Sequence, residues 1–272
     1  MITMGRIADA FARRSAEGKK VLVTYLCVGD PDASASVELA LACADEGADI
    51  LELGCPYSDP SADGPAIARA SQRAIERGGG LAETLRVARA VRDRSDVPLV
   101  LFGYFNPIFV CGEDEAADRV AKAGIDALLV VDLPVEESMP FRQAASARGL
   151  GLVPLVAPTT RPVRVAAIRA LADAFPIPFV YYVSMNGVTG GAGASDVLAI
   201  AGTEARRVRE VTGRPTVVGF GIDSAARARV VAKDADGVVV GSEIVRRIEN
   251  GRSPEERMRS VRDLVRELRA AT

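Results

Sequence analysis

The sequence predicts one α/β domain over residues 1–272, a (β/α)8 TIM barrel with an extra N-terminal helix and an additional C-terminal helix. Three observations predict this fold. The length of 272 residues is close to the roughly 250 that are typical of such barrels. Short apolar runs alternate with longer helical patterns eight times. No linker, low-complexity tract or charge block divides the chain.

The predicted strands are mostly continuous apolar runs, which is typical of parallel strands that are buried on both faces. A doubly wound open sheet is the main alternative, but it usually has fewer strands and a GxGxxG motif after the first one. Here the first strand is followed by Gly29-Asp30-Pro31. The eight strands are Val21–Val28, Ile50–Cys55, Pro98–Tyr104, Ala127–Leu133, Gly151–Ala157, Phe179–Ser184, Pro215–Gly221 and Gly237–Ser242.

Amphipathic segments between these runs predict the helices of the outer layer. Met4–Ser15 precedes the first strand, and we expect this extra helix to close the barrel floor. The other predicted helices include Ser34–Glu46, Ala116–Ala123, Glu136–Arg148, Arg164–Ala174, Ser224–Lys233, Glu243–Asn250 and Pro254–Ala270. In this fold the active site lies at the C-terminal ends of the strands, so candidate residues are sought there.

Composition excludes several classes of function. Lys+Arg number 34 and Asp+Glu 36, a balance that gives no reason to expect nucleic-acid or membrane-surface binding. No apolar run approaches the roughly 18 residues of a membrane span, and the N-terminus has no signal-peptide core. We therefore expect a cytoplasmic protein. Its cysteines match no metal or redox spacing, which favours buried thiols; they are Cys27, Cys43, Cys55 and Cys111.

The chain contains no histidine, which removes catalytic triads, histidine bases and most zinc sites. Lys19 and Lys20 precede the first strand, and Lys122 and Lys233 fall in helical segments. No lysine is therefore expected at the barrel mouth, and no metal site is predicted. Acid–base chemistry is left to carboxylates.

Glycines follow three predicted strands at the barrel mouth. Gly219-Phe220-Gly221 follows strand seven, Gly241-Ser242 follows strand eight and opens a helix, and Gly187–Gly193, which includes Thr189 and Gly190, follows strand six. Glycines let backbone N–H groups approach an anion, and a helix N-terminus favours negative charge. Tight turns explain any one cluster, but their coincidence at neighbouring strand ends favours a phosphorylated ligand.

Glu52 interrupts an apolar strand, and the two-residue period directs it away from the face of Leu51 and Leu53. If the leucines pack on the helices, Glu52 points into the barrel mouth. A carboxyl group in apolar surroundings binds its proton more tightly, which suits a general acid and base near neutral pH. A structural glutamate held by an arginine or by backbone amides remains the alternative. Asp59 and Asp63 follow, either as a second carboxylate over the mouth or as turn caps.

Further candidates lie at or near strand ends. Four apolar side chains are candidates to line an aromatic-sized pocket, with ordinary core packing as the alternative; they are Phe102, Leu129, Val156 and Phe220. The polar candidates are Tyr104, Asn106, Asp132, Thr159, Tyr181 and Tyr182.

The segment Leu51–Pro65, LELGCPYSDPSADGP, closely resembles LELGxPFSDPxADGP, the signature of the tryptophan synthase alpha subunits. The resemblance covers nearly the whole chain. The matching motifs fall in the family's order; they include Gly29-Asp30-Pro31, Gly103–Ile108, Val131–Ser138, Pro154–Thr160, Tyr182-Val183-Ser184, Gly187–Gly190 and Gly219–Ile222.

The resemblance implies a retro-aldol cleavage of indole-3-glycerol phosphate into indole and glyceraldehyde 3-phosphate. It implies that Glu52 protonates the indole ring and later takes the hydroxyl proton, and that Asp63 stabilises the charge at the ring N–H. The family's active-site tyrosine falls on Tyr181. Its phosphate-binding backbone positions fall on Gly190, Gly221, Gly241 and Ser242. Without a Schiff-base lysine or a metal, the protonated indole would itself have to accept the electrons.

The resemblance also implies a beta subunit partner in an alpha2-beta2 tetramer, with pyridoxal phosphate in the partner and no cofactor in this chain. The loops after strands two and six would close over the substrate and touch that partner. The chain departs from the family there, at Tyr57, at Ser61 and at Gly191–Ala194, as it does at Cys27. An autonomous indole-releasing lyase and a non-catalytic, phosphate-binding activator are the alternatives, although the retention of Glu52 and Asp63 argues against the second.

Overall fold

A computed structural model of the protein describes residues 5–184 and 194–272. Within these ranges, parallel strands alternate with helices along the chain. The strands are β1 Val21–Cys27, β2 Ile50–Gly54, β3 Leu99–Gly103, β4 Ala127–Val130, β5 Gly151–Leu152, β6 Leu155–Val156, β7 Val180–Val183, β8 Thr216–Gly219 and β9 Gly237–Val240. The helices are α1 Arg6–Ala16, α2 Ala33–Asp45, α3 Pro65–Ile75, α4 Leu81–Arg92, α5 Phe105–Cys111, α6 Glu113–Lys122, α7 Met139–Ser146, α8 Pro162–Ala174, α9 Ala194–Thr212, α10 Ala225–Ala232, α11 Ser242–Asn250 and α12 Pro254–Arg269.

The sheet closes through an interrupted strand. Its order is β5-β4-β3-β2-β1-β9-β8-β7-β6, and only Val153 and Pro154 separate the two terminal strands. These residues still bond to both neighbours. The Val153 N–H donates to the Leu128 carbonyl (2.9 Å), and the Tyr181 N–H donates to the Pro154 carbonyl (3.0 Å). The segment Gly151–Val156 therefore acts as one stave, and the predicted barrel of eight staves is confirmed.

The barrel is filled by its own inward-facing side chains and closed below by α1. Ile7 and Phe11 of α1 are buried in the same cluster as Val23, Ile50 and Phe179 of the strands. The rings of Phe11 and Phe179 lie 5.8 Å apart. The predicted floor helix is thus confirmed. A second, larger cluster packs the opposite strand faces against the outer helices, as the two-residue period requires.

The helices predicted on either side of the strands are confirmed with shifts of a few residues at their ends. The largest shifts are of three residues: α6 begins at Glu113 and not at Ala116, and α7 begins at Met139 and not at Glu136. Pro140 occupies the first turn of α7, where proline is tolerated. Within the described ranges, no helix is both long and apolar enough to span a lipid bilayer.

Candidate active site

Glu52 is a buried carboxyl group that forms no ion pair within residues 5–184 and 194–272. It lies on β2 opposite Tyr25 of β1 and Val100 of β3, and only 1% of it is exposed. Its Oε1 has no hydrogen-bond partner among the described residues. Burial raises the pKa of Glu52 to about 8, so the group carries a proton at neutral pH. No described arginine pairs with Glu52, and the structural-glutamate alternative thereby loses its support.

Asp63 lies in the loop between β2 and α3 and is held by Tyr104. The Tyr104 hydroxyl donates to Asp63 Oδ2 (3.2 Å) and accepts the Ala62 N–H (3.0 Å). Burial raises the pKa of Asp63 to about 6, while the Tyr104 hydrogen bond acts in the opposite direction. At pH 7 Asp63 is therefore largely ionised, and Glu52 is not.

The same loop is fastened at its other end by Ser71 of α3. The Tyr57 N–H donates to Ser71 Oγ (2.7 Å), and the Ser71 hydroxyl donates to the Tyr57 carbonyl (2.9 Å). The Tyr57 ring stacks on the Tyr104 ring, with centroids 4.8 Å apart. Asp59 bonds within the loop, since the Ser58 hydroxyl donates to its Oδ2 (2.6 Å). The loop presents Asp63 to the site, and Asp59 serves as a turn residue.

Tyr181 shares the barrel mouth with both carboxyl groups. It is 6% exposed on β7. Burial and then the charges of Glu52 and Asp63 raise its pKa well above the usual value. A Cβ atom on Gly219 would collide with the Tyr181 hydroxyl. Gly219 thus provides the space in which this tyrosine reaches the site.

Tyr25 has the same relation to Gly54 on the other side of Glu52. A Cβ atom on Gly54 would collide with the Tyr25 hydroxyl, and the Tyr25 ring meets Phe102 edge-on with centroids 5.2 Å apart. The charges of Asp63 and Glu52 contribute to a raised pKa of Tyr25, after burial and Cys27. Sequence reasoning missed Tyr25, although its two-residue spacing from Val21 and Val23 put it on the inward face.

The ends of β8 and β9 form the surface predicted to bind phosphate. The two strands are neighbours. Phe220 and Gly221 both have positive φ angles, 82° and 74°, and the space beside Gly221 is open. Gly241 is the N-cap of α11, and Ser242 is the first residue of that helix. Backbone N–H groups and the helix dipole therefore face the same end of the barrel.

The remaining predicted residues fall in different places. Phe102 packs against the barrel interior, and Leu129 belongs to it. Val156 packs in the outer cluster, whereas its neighbour Leu155 packs against the interior. Phe220 is 47% exposed at the mouth. Thr189 and Gly190 lie outside the described residues.

An ion-pair network ties the two sides of the site together. Arg73 of α3 donates from Nε and Nη2 to the buried carboxylate of Asp30 (2.9 and 2.7 Å) and from Nη1 to Glu249 of α11 (2.8 Å). Arg69 donates twice to Glu249 (2.8 and 2.7 Å). The hydrogen bonds from Arg69 and then Arg73 hold the pKa of Glu249 at about 2. The helix that follows the Asp63 loop is thereby joined to the helix that begins at Ser242.

All four lysines lie away from the mouth. Lys19 and Lys20 precede β1, Lys122 ends α6, and Lys233 follows α10. The four cysteines are free thiols. Among the described residues no group of three or more Cys, Asp and Glu side chains is arranged to hold a metal ion.

Comparison with known proteins shows which family the chain resembles. The family "Tryptophan synthase alpha chain" matches residues 11–272. The tryptophan synthase alpha chain of Chromobacterium violaceum is 46% identical over 269 residues, 98% of this chain and 99% of that one. The alpha chain of Geobacter sp. strain M21 is 45% identical over 253 residues, 93% and 92% of the two chains.

Solved structures agree in fold and extent. Tryptophan synthase subunit alpha from Legionella pneumophila has a TM-score of 0.86 at 31% identity, covering 98% of both chains. An aminoacrylate-bound tryptophan synthase from M. tuberculosis has a TM-score of 0.83 at 33% identity, covering 98% of this chain and 99% of that one.

Proposed function

Because the chain belongs to the tryptophan synthase alpha chain family, we propose that Glu52 and Asp63 carry out the acid–base chemistry of its reaction. As a member of that family the chain is a lyase of L-tryptophan biosynthesis that cleaves indole-3-glycerol phosphate. The observation that supports the proposed roles is the separation of the two pKa values, about 8 for Glu52 and about 6 for Asp63. Two carboxyl groups at one mouth are thus neutral and ionised at the same pH.

Glu52 supplies the first proton. Its neutral carboxyl group donates to the indole carbon that carries the glycerol phosphate chain, which leaves a positive charge shared with the ring nitrogen. An ionised glutamate could not perform this step, and burial keeps the proton in place at neutral pH. The unpartnered Oε1 leaves the group available to the substrate.

Asp63 stabilises the ion that this step creates. Its carboxylate accepts the ring N–H, whose acidity rises when the ring is protonated, and the Tyr104 hydroxyl holds the carboxylate in position. A fixed negative charge opposite a developing positive charge is the usual source of electrostatic catalysis.

The carbon–carbon bond then breaks with the protonated ring as the electron acceptor. The Glu52 carboxylate takes the proton of the hydroxyl group next to the ring, the C–O bond becomes the aldehyde carbonyl, and the electrons of the broken bond restore the indole. Glu52 ends the cycle protonated, as it began. No Schiff base is needed, and the lysine positions are compatible with this route.

The phosphate group of the substrate would bind at the ends of β8 and β9. The N-terminus of α11 and the open space beside Gly221 support this assignment. Gly219, Gly241 and Ser242 are the further phosphate contacts that we propose. Phe102 and Leu129 would contact the indole ring, with Tyr181 beside it. Thr189 and Gly190 remain predicted contacts of the loop after β7.

We further propose that the chain works with a beta subunit in an alpha2-beta2 tetramer. The family implies a beta partner. The similar M. tuberculosis structure is described as a tryptophan synthase in an aminoacrylate-bound form, which is compatible with such a partner. Pyridoxal phosphate would belong to that partner, because the lysines of this chain lie away from the mouth and offer the aldehyde no anchor there. Cysteines that are all free are compatible with the cytoplasm, the compartment we propose.

Glu52→Gln tests the assignment. The variant keeps the shape of the side chain but cannot donate and recover the proton, so indole release should fall by about 10²–10⁴-fold. Release of indole from indole-3-glycerol phosphate is measured with and without beta subunit, and Glu210→Gln, at an exposed position of α9, is the control. Near-wild-type turnover of Glu52→Gln would refute the role of Glu52. Wild-type activity that beta subunit leaves unchanged would favour the autonomous lyase.

A further inference from the structure

A cavity lies beside the interrupted stave, Gly151–Val156, and away from the proposed phosphate surface at the ends of β8 and β9. Its volume is about 220 Å³, far above the roughly 10–15 Å³ that admits one water molecule. Apolar side chains from the end of β4, from the loop that follows it and from the interrupted stave form most of its wall. Four polar residues complete the lining: Asp132, Ser138, Arg142 and Arg164.

Arg142 is a buried cation that has no counter-ion among the residues the structure describes. It lies on α7 and only 3% of it is exposed. Its Nε donates to Ser138 Oγ (3.3 Å), and its Nη1 has no hydrogen-bond partner among the described residues. Burial lowers the pKa of Arg142 to about 10, and no carboxylate offsets the effect. The guanidinium group is still charged at pH 7, and a buried charge of this kind requires a partner.

The other charged groups of the cavity are already engaged. Arg164 donates to Glu136 (2.7 Å). Asp132 accepts the Phe105 N–H on its Oδ1 (2.7 Å) and so fixes the start of α5. Among the described residues neither Asp132 nor Glu136 forms an ion pair with Arg142, so the positive charge of Arg142 remains for a ligand to balance.

The cavity is separate from the proposed phosphate surface, although Val131, Val153 and Leu155 of its wall face the barrel interior. The stave β7 stands between the interrupted stave and β8, so the proposed phosphate surface begins two staves away. Part of the cavity wall, Val130 and Leu152, belongs to the cluster outside the barrel. The substrate's phosphate and this cavity are thus served by different elements of the fold.

We propose that the cavity binds a small oxyanion, a carboxylate or a phosphate, through the guanidinium group of Arg142. The planar fork of arginine matches the two oxygens of either group. The Ser138 hydroxyl, which donates to the Val135 carbonyl (2.8 Å) and accepts from Arg142 Nε (3.3 Å), holds the guanidinium group in place, and the apolar wall accommodates the body of the ligand. This site is additional to the proposed phosphate surface and does not depend on the roles proposed for Glu52 and Asp63.

Calorimetric titrations with inorganic phosphate and with acetate test the proposal. They are carried out on the full chain with Gly221→Val in the background, which weakens the phosphate surface at β8, and at constant ionic strength set with chloride. Three proteins are compared: the Gly221→Val parent, the same protein with Arg142→Gln, and the same protein with Arg169→Gln. The last change removes an exposed arginine of α8 and serves as the control. Binding of phosphate alone identifies a phosphate site, and binding of acetate alone identifies a carboxylate site.

The parent protein and Arg169→Gln should bind at least one probe, and Arg142→Gln should bind it at least tenfold more weakly. Arg142→Lys, which keeps the charge but not the fork, should fall between them. Arg142→Gln in the otherwise wild-type chain should keep its rate of indole release, so that a failure here is distinct from a failure of the proposed function. The absence of binding in the parent protein, or equal affinities in Arg142→Gln, would overturn the proposal. If Arg142→Gln does not fold, unchanged affinity in Arg142→Lys would overturn it instead.

Discussion

The buried proton of Glu52 should be visible in the stability of the protein as well as in its activity. Burial raises the pKa of Glu52 from 4.5 to about 8. At about 1.4 kcal/mol per pKa unit, ionising this group in place costs about 5 kcal/mol. Between these two pH values the folded protein keeps the proton, while the unfolded chain loses it. The stabilisation is therefore complete below pH 4.5 and is lost as the pH rises to about 8.

Glu52→Gln removes this pH dependence because an amide does not titrate. The free energy of unfolding of the variant should rise relative to that of the wild type by several kcal/mol between pH 5 and 8. Other groups titrate in both proteins and cancel in the difference. Urea unfolding at half-unit pH intervals measures it.

Glu210→Gln, at an exposed position, is the matched control and should differ from the wild type by a constant amount. Parallel curves for Glu52→Gln and the wild type would mean that Glu52 is ionised in the folded protein. In that case it could not be the proton donor at neutral pH.

Three further predictions concern the same site. The value of kcat/KM for indole release should fall below about pH 6, as Asp63 takes a proton, and above about pH 8, as Glu52 loses one; a flat profile from pH 5 to 9.5 would contradict both roles. Gly219→Ala should cost about 1–3 kcal/mol in chemical unfolding because it displaces the Tyr181 ring, and Tyr181→Phe should recover part of that loss. Gly221→Val should weaken the binding of glycerol phosphate at least tenfold, since its φ of 74° strains a branched residue and its side chain would occupy the open space.

Tyr57→Phe is the control for the phosphate measurement. The Tyr57 ring lies in the loop between β2 and α3, away from β8, and stacks on the Tyr104 ring. The affinity of the Tyr57→Phe variant for glycerol phosphate should therefore match that of the wild type. Equal affinities for Gly221→Val and Tyr57→Phe would remove the phosphate surface from this part of the barrel.

The barrel and Glu52 were predictable because both depend on local pattern. Apolar runs of strand length that alternate with helices define the fold, and the period of two directs Glu52 away from Leu51 and Leu53. The same period makes Val153 and Leu155 face inward together. Val156 was predicted to line the pocket, but it packs outside the barrel. Its neighbour Leu155 is the residue that faces inward.

Contacts between distant residues could not be predicted in this way. Tyr104 and Asp63 are 41 positions apart, and only the packed barrel brings the hydroxyl to the carboxylate. Arg142 stands in a helical segment with the pattern of a surface residue, and its burial becomes evident only when α7 is packed against α6 and β5. The pKa separation of the two carboxyl groups was predictable in direction for Glu52 alone, because the surroundings of Asp63 depend on the folded loop.

The two tyrosine–glycine pairs beside Glu52 constrain how the pocket can be reshaped, whether in the laboratory or by evolution. In each pair, Tyr25 with Gly54 and Tyr181 with Gly219, a hydroxyl occupies the space that a methyl group on the neighbouring stave would fill. A route that enlarges the glycine first passes through a steric clash, whereas a route that shortens the tyrosine first passes through a small void, which a later alanine can fill. The accessible path to a differently shaped pocket therefore runs through the tyrosine before the glycine in both pairs.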